Sequence, residues 1–117
     1  MIFNVEEKEV KGKLNRMEQY EMRSEDGENN VQCSIFYYFG KTNKGEFAKC
    51  HFGDFLQRGH EYAYFMLSNT MPKNIYSAIL EVDPSKENAE EIIVAAEKLG
   101  FKKYKSYAKM VSYVKKM

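Results

Sequence analysis

Between Asp83 and Phe101 the apolar residues recur with a helical period. Ala89, Ile92, Ile93, Ala96 and Leu99 fall at i, i+3, i+4, i+7 and i+10, one stripe of an amphipathic helix. Asp83 is placed as its N-cap, Pro84 at its first position and Gly100 as its left-handed terminator. Residues 101–117, "FKKYKSYAKMVSYVKKM", repeat the logic. Phe101, Tyr104, Ala108, Val111 and Val114 line one face and lysines take the others, so a second C-terminal helix is predicted. Upstream the period changes. Two aromatic-rich runs, "VQCSIFYYFG" and "EFAKCHFGDF", flank "TNKG" and predict a β-hairpin closed by a three-residue loop with a glycine bulge. "HEYAYFML" (60–67) and "NIYSAILEV" (74–82) predict two further strands, with "SNTMPKN" as the turn between them. Residues 5–22 carry both periods. Val10, Gly12 and Leu14, with Tyr20 and Met22, alternate as a strand would. Asn4 and Glu7 resemble a capping box, and Val10, Leu14, Met17 and Glu21 keep helical spacing, which favours a helix. "RSEDGENN" reads as a loop. The expected fold is α+β in a single domain over 1–117: an antiparallel sheet of four or more strands with an N-terminal helix and two C-terminal helices packed on it.

Composition changes this picture little. The chain has 117 residues, 44% of them hydrophobic and 15% aromatic, enough for one packed core. No apolar run approaches the roughly 18–20 residues of a spanning helix, and "MIFNVEEKEV" turns acidic too early for a secretory signal. A cytoplasmic protein with no membrane partner is expected. Charge is more informative than composition. Residues 1–100 carry 12 Lys/Arg and 17 Asp/Glu, whereas residues 101–117 carry six lysines and no acid. Such segregation marks an interaction surface or a solvated face. Lys102, Lys103, Lys105, Lys109 and Tyr107, together with Tyr37, are the candidate binding residues.

Catalytic candidates are sparse. Cys33, Cys50, His51 and His60 are the soft ligands, and they lack the paired spacing of a zinc site. A glycine-bulge register pairs Thr42 with Glu46 and puts Cys50 opposite Tyr38, on the other face from Cys33; a four-residue loop would put both on one face. The first is preferred. No metal, cofactor or catalytic set is therefore assigned. Glu81 and Asp83 lie two apart at a strand end, where a crevice could use acids, although Asp83 has a capping role. "FGKTNKG" lacks the order and helix context of a phosphate loop.

Three resemblances bear on function. "AILEVDPSKENAEEIIVAAEKLGFKKY" resembles the C-terminal strand–helix–strand of GNAT N-acyltransferases, which often show "EKLGF" after the helix. Aligned on Gly100, the family's usual tyrosine falls on Ala96 and its preceding asparagine on Ala89. The resemblance implies an acyl-CoA pyrophosphate loop upstream, for which "QRGHEYA" is the candidate; Gly59 is present, but Glu61 stands where a glycine amide would face phosphate. "AAEKLGF" before a basic segment is similar to a helix-turn-helix, with Ala96 and Gly100 at its small positions and Ser106 where an aliphatic residue belongs. "KGEFAKCHF" resembles the aromatic strand of an RRM, off by one in register and with Lys49 replacing an aromatic. The favoured function is a non-enzymatic protein–protein interaction module or inhibitor, of the phage, mobile-element or immunity-factor type. The alternatives are a nucleic-acid-binding protein using a basic C-terminal helix and a degenerate GNAT-like acyltransferase. The expected partner is another protein or nucleic acid, with a homodimer if an aromatic sheet face is left uncovered.

Overall fold

The structure, a computed structural model, describes residues 2–8, 14–23, 31–55 and 60–117, with side chains from Arg16 onward except at 54, 55 and 107. Among these residues seven strands form one mixed sheet: β1 (Ile2–Lys8), β2 (Leu14–Arg23), β3 (Val31–Thr42), β4 (Gly45–Phe55), β5 (Ser77–Val82), β6 (Lys102–Tyr107) and β7 (Met110–Lys116). Helix α1 (His60–Thr70) joins β4 to β5, and α2 (Ala89–Lys98) joins β5 to β6. The spatial order is β1-β2-β3-β4-β5-β7-β6. Every neighbouring pair is antiparallel except β4 and β5. Parallel neighbours need a crossover, and α1 supplies it.

Five expectations are corrected. Residues 5–22 hold no helix among those described; β1 and β2 pair there as antiparallel strands. Residues 60–67 belong to α1 rather than to a strand. The segment 101–117 is the β6–β7 hairpin rather than a second C-terminal helix. The sheet is also mixed instead of antiparallel. The hairpin turn carries no glycine: Tyr107 pairs with Met110 across Ala108 and Lys109, and Ala108 adopts φ +53°. In the first hairpin Thr42 pairs with Gly45, so Cys50 lies opposite Tyr37 and on the same face as Cys33. The preferred glycine-bulge register is thereby overturned.

The register identifies two faces. One cross-strand row runs Glu18, Tyr37, Cys50, Leu80, Tyr113, Lys103. All sheet residues of the core, including Met22, Ile35, Phe39, Ala48, Ala78 and Val82, share that face. Both helices press on it. The expected stripe of α2 is present, with Ala89, Ile92 and Ala96 buried, and α1 contributes Ala63, Met66 and Leu67. At the start of β2 a polar network covers the core: the Arg16 guanidinium lies 3.9 Å above the Phe39 ring and donates to Glu18 and Glu46, both at 3.2 Å. Tyr20 donates to Glu18 Oε1 at 2.7 Å.

The other row runs Met17, Tyr38, Lys49, Ile79, Val114, Lys102. Among the described residues no helix covers this face. Its aromatic side chains cover the sheet themselves. The His51 ring stacks on Phe36 at 5.1 Å and on Tyr38 at 5.4 Å. Phe36 lies so low over β4 that a Cβ on Gly53 would come within 2.6 Å of its ring.

Candidate functional site

The parallel pairing of β4 and β5 is short. It extends from Phe47 beside Ser77 to Cys50 beside Leu80. Beyond Cys50 the strand β4 stays with β3, while β5 continues beside β7. One extra residue of β4 is accommodated between Phe52 and Phe55, opposite Ser34, and such a bulge bends its strand. The two carboxyl ends therefore part, as ligand crevices in open α/β sheets do. A cleft of about 340 Å³ lies between them. Its walls are His51, Phe52 and Gly53 of β4 and Glu81 and Val82 of β5, with Asp83 beyond. Ala89 and Ile92 of α2 form its apolar floor, and Lys86 and Met110 stand at its side.

Its titratable groups are distinct in character. Burial holds the His51 imidazole below its ordinary value, against the opposing pull of Glu81, so the ring is neutral near pH 7 and can accept a proton. Asp83 is not a helix cap: it accepts hydrogen bonds from the Ser85 amide at 2.9 Å and hydroxyl at 2.6 Å. Those bonds, helped by Lys86, keep its carboxyl below the usual range. Asn88 occupies the N-cap position of α2 without a side-chain capping hydrogen bond. Cys50, next to His51 in the chain, is buried in the core, where burial, and then Glu81, push its thiol far above the ordinary value. It has no thiolate character at neutral pH. Among the described residues no three His, Cys, Asp or Glu side chains converge as a metal site would require.

Helix α1 starts five residues after β4 ends. Its first turn holds Glu61, whose side chain is 72% exposed. The His60 Nε2 lies 2.8 Å from Lys98 Nζ and 3.8 Å from Glu61 Oε1. A second concavity of about 370 Å³ runs past His60, Glu61, Tyr64 and Lys98.

The residues singled out from the sequence do not gather here. Lys102, Lys103 and Lys105 lie exposed along β6, the outer strand of the sheet, and Lys109 is exposed in the turn. Tyr107 is the last residue of β6. Tyr37 is fully buried in the core; its hydroxyl is 2.7 Å from Thr70 Oγ1, which itself donates to the Met66 carbonyl at 2.6 Å, so Tyr37 is the donor. It offers no ring to a ligand. The strand-end pair Glu81 and Asp83 does line the cleft. His51, Gly53 and Lys86 were not legible as a set, because their convergence depends on the parallel pairing. "QRG", residues 57–59 of the candidate phosphate loop, lies outside the described residues.

No family model matches the chain, and no curated protein matches it. The fold is similar to a crystal structure of a proposed acetyltransferase from Sphaerobacter thermophilus DSM 20745, with a TM-score of 0.58 over 86% of this chain and 70% of that one, at 15% identity. At that identity the likeness is one of fold. No helix among the described residues is long and apolar enough to cross a membrane.

Proposed function

We propose that the cleft between β4 and β5 receives the acyl-thioester arm of a coenzyme-A-type ligand, making the chain a reduced GNAT-like acyltransferase. The observation that carries this is the parting of the parallel strands β4 and β5 to leave a cleft of about 340 Å³ with His51 in its wall. The fold likeness to a proposed acetyltransferase supports it, as does the resemblance of residues 78–104 to the family's strand–helix–strand. In the transfer, an acceptor amine nitrogen forms a bond to the thioester carbonyl carbon. The neutral His51 accepts the proton lost by the amine, the carbon–sulfur bond breaks, and the leaving thiolate takes that same proton back from the His51 imidazolium. Isothermal titration calorimetry with acetyl-CoA tests the binding step. Saturable 1:1 heat is expected, lost in Met110→Trp, which fills the cleft from its side. No heat at millimolar acetyl-CoA would contradict it.

The bare face favours a second reading, the protein-binding module or inhibitor. Phe36, Tyr38, Phe47, Ile79 and Val114 are only half-buried there, and apolar sheet faces are rarely left open. A second copy of the chain is the occupant that can be tested without a partner in hand. Sedimentation of a dimer that Tyr38→Glu dissociates would support it; a monomer at 100 μM or so would exclude self-association.

A further inference from the structure

The positive charge of residues 101–117 is not spread around a helix. It is displayed on the β6–β7 hairpin at one end of the sheet, and its arrangement has a feature that charge alone does not require. Among the described residues β6 pairs with β7 on one side only. Between Lys103 and Lys105 the register shifts by one, leaving Tyr104 as the unpaired residue of a bulge. A bulge re-aims a side chain, and here Tyr104 is 72% exposed. Lys102, Lys103, Lys115 and Lys116 surround it along a groove of about 540 Å³ that also reaches Gly100 and Val114. This groove lies at the opposite end of β7 from the cleft. Met110 borders one and Lys115 the other, roughly 17 Å apart at about 3.4 Å per residue.

Lysines on an outer strand guard against edge-to-edge association. That role explains Lys102, Lys103 and Lys105. It does not explain an aromatic ring turned out among them, which invites association, nor Lys115 and Lys116 on the inner strand. A basic groove with an exposed aromatic platform is the pairing by which single strands of nucleic acid are held: ammonium groups meet phosphates and a ring stacks on a base. The absence of any acid from residues 101–117 leaves the segment itself without repulsion of a polyanion. We propose that the β6–β7 hairpin binds single-stranded nucleic acid, with Lys102, Lys103, Lys115 and Lys116 on phosphates and Tyr104 stacked on a base.

Fluorescence anisotropy of fluorescein-labelled dT15 and rU15 tests this in the full chain. Affinity is expected to fall with KCl between 50 and 300 mM, with a log–log slope near −3 for four phosphates at about 0.7 each. Replacing the four lysines by glutamine should flatten that slope. Tyr104→Ala should weaken binding about tenfold and Tyr104→Phe should restore it; both changes are at an exposed position, and circular dichroism checks that the variants are folded. Unchanged affinity in folded Tyr104→Ala, no binding of either oligonucleotide at 50 mM KCl, or equal competition by polyglutamate would overturn the proposal.

Discussion

Gly100 and Ala108 both adopt a left-handed backbone, at φ +93° and φ +53°, but carry different side chains. Gly100 closes α2 in a Schellman arrangement: its amide donates to the Glu97 carbonyl at 3.1 Å, and the Phe101 amide to the Ala96 carbonyl at 3.0 Å. That ending was legible, because "EKLGF" places a glycine just after an apolar stripe. The Ala108 turn was not. Alanine gives no sign of a left-handed residue, so "SYAKMVSY" passed for helix. In urea unfolding, Gly100→Ala is expected to cost about 1 kcal/mol, since a Cβ there meets only Lys115 Cε at 3.9 Å and the strain is in the backbone alone. Ala108→Gly is expected to gain a few tenths of that. The reverse signs would contradict the turn geometry. His51 supplies a pH signature. Its folded pKa lies below the ordinary 6.5 because burial disfavours the imidazolium. The unfolded chain therefore binds more protons as pH falls through 6.5, and this contribution to stability, complete above 6.5, is lost towards the lower folded value. His51→Phe keeps the stack and should make the urea midpoint less sensitive between pH 7.5 and 5.5.

At the level of elements, the errors share a cause. In α1 the buried Ala63, Met66, Leu67 and Thr70 keep helical spacing. Tyr62 and Phe65 also pack on the core while Tyr64 stays exposed, so aromatics on all sides hid the stripe and suggested a strand. Around 5–22 the alternation in β2 was real. Met22 and Tyr20 face the core with Glu18, and Gln19 turns to the other face, but polar residues on the core face blurred the period. Reading α1 as a strand removed the crossover, and with it the parallel pair that opens the cleft. The strand-end acids Glu81 and Asp83 could be noticed; what they faced could not. The first turn of α1 carries its own test. An acid at a helix N-terminus opposes an approaching phosphate by about 0.3–1 kcal/mol. Glu61→Gln, at an exposed side chain, should therefore tighten acetyl-CoA binding by about two- to fivefold in calorimetry. Weaker binding would mean that the ligand's phosphates lie elsewhere.

Over the whole molecule the sheet divides its labours by place. Two helices and the core occupy one face, the other is surfaced by its own aromatics, a cleft opens midway between β4 and β5, and the lysines lie at the β6 end. The most direct measurement is an amide NMR titration of the labelled chain with acetyl-CoA. The largest shifts are expected at His51, Gly53, Glu81 and Lys86, saturating together at one ligand per chain. Shifts confined to the β6–β7 hairpin, or none at millimolar ligand, would contradict a thioester-binding cleft.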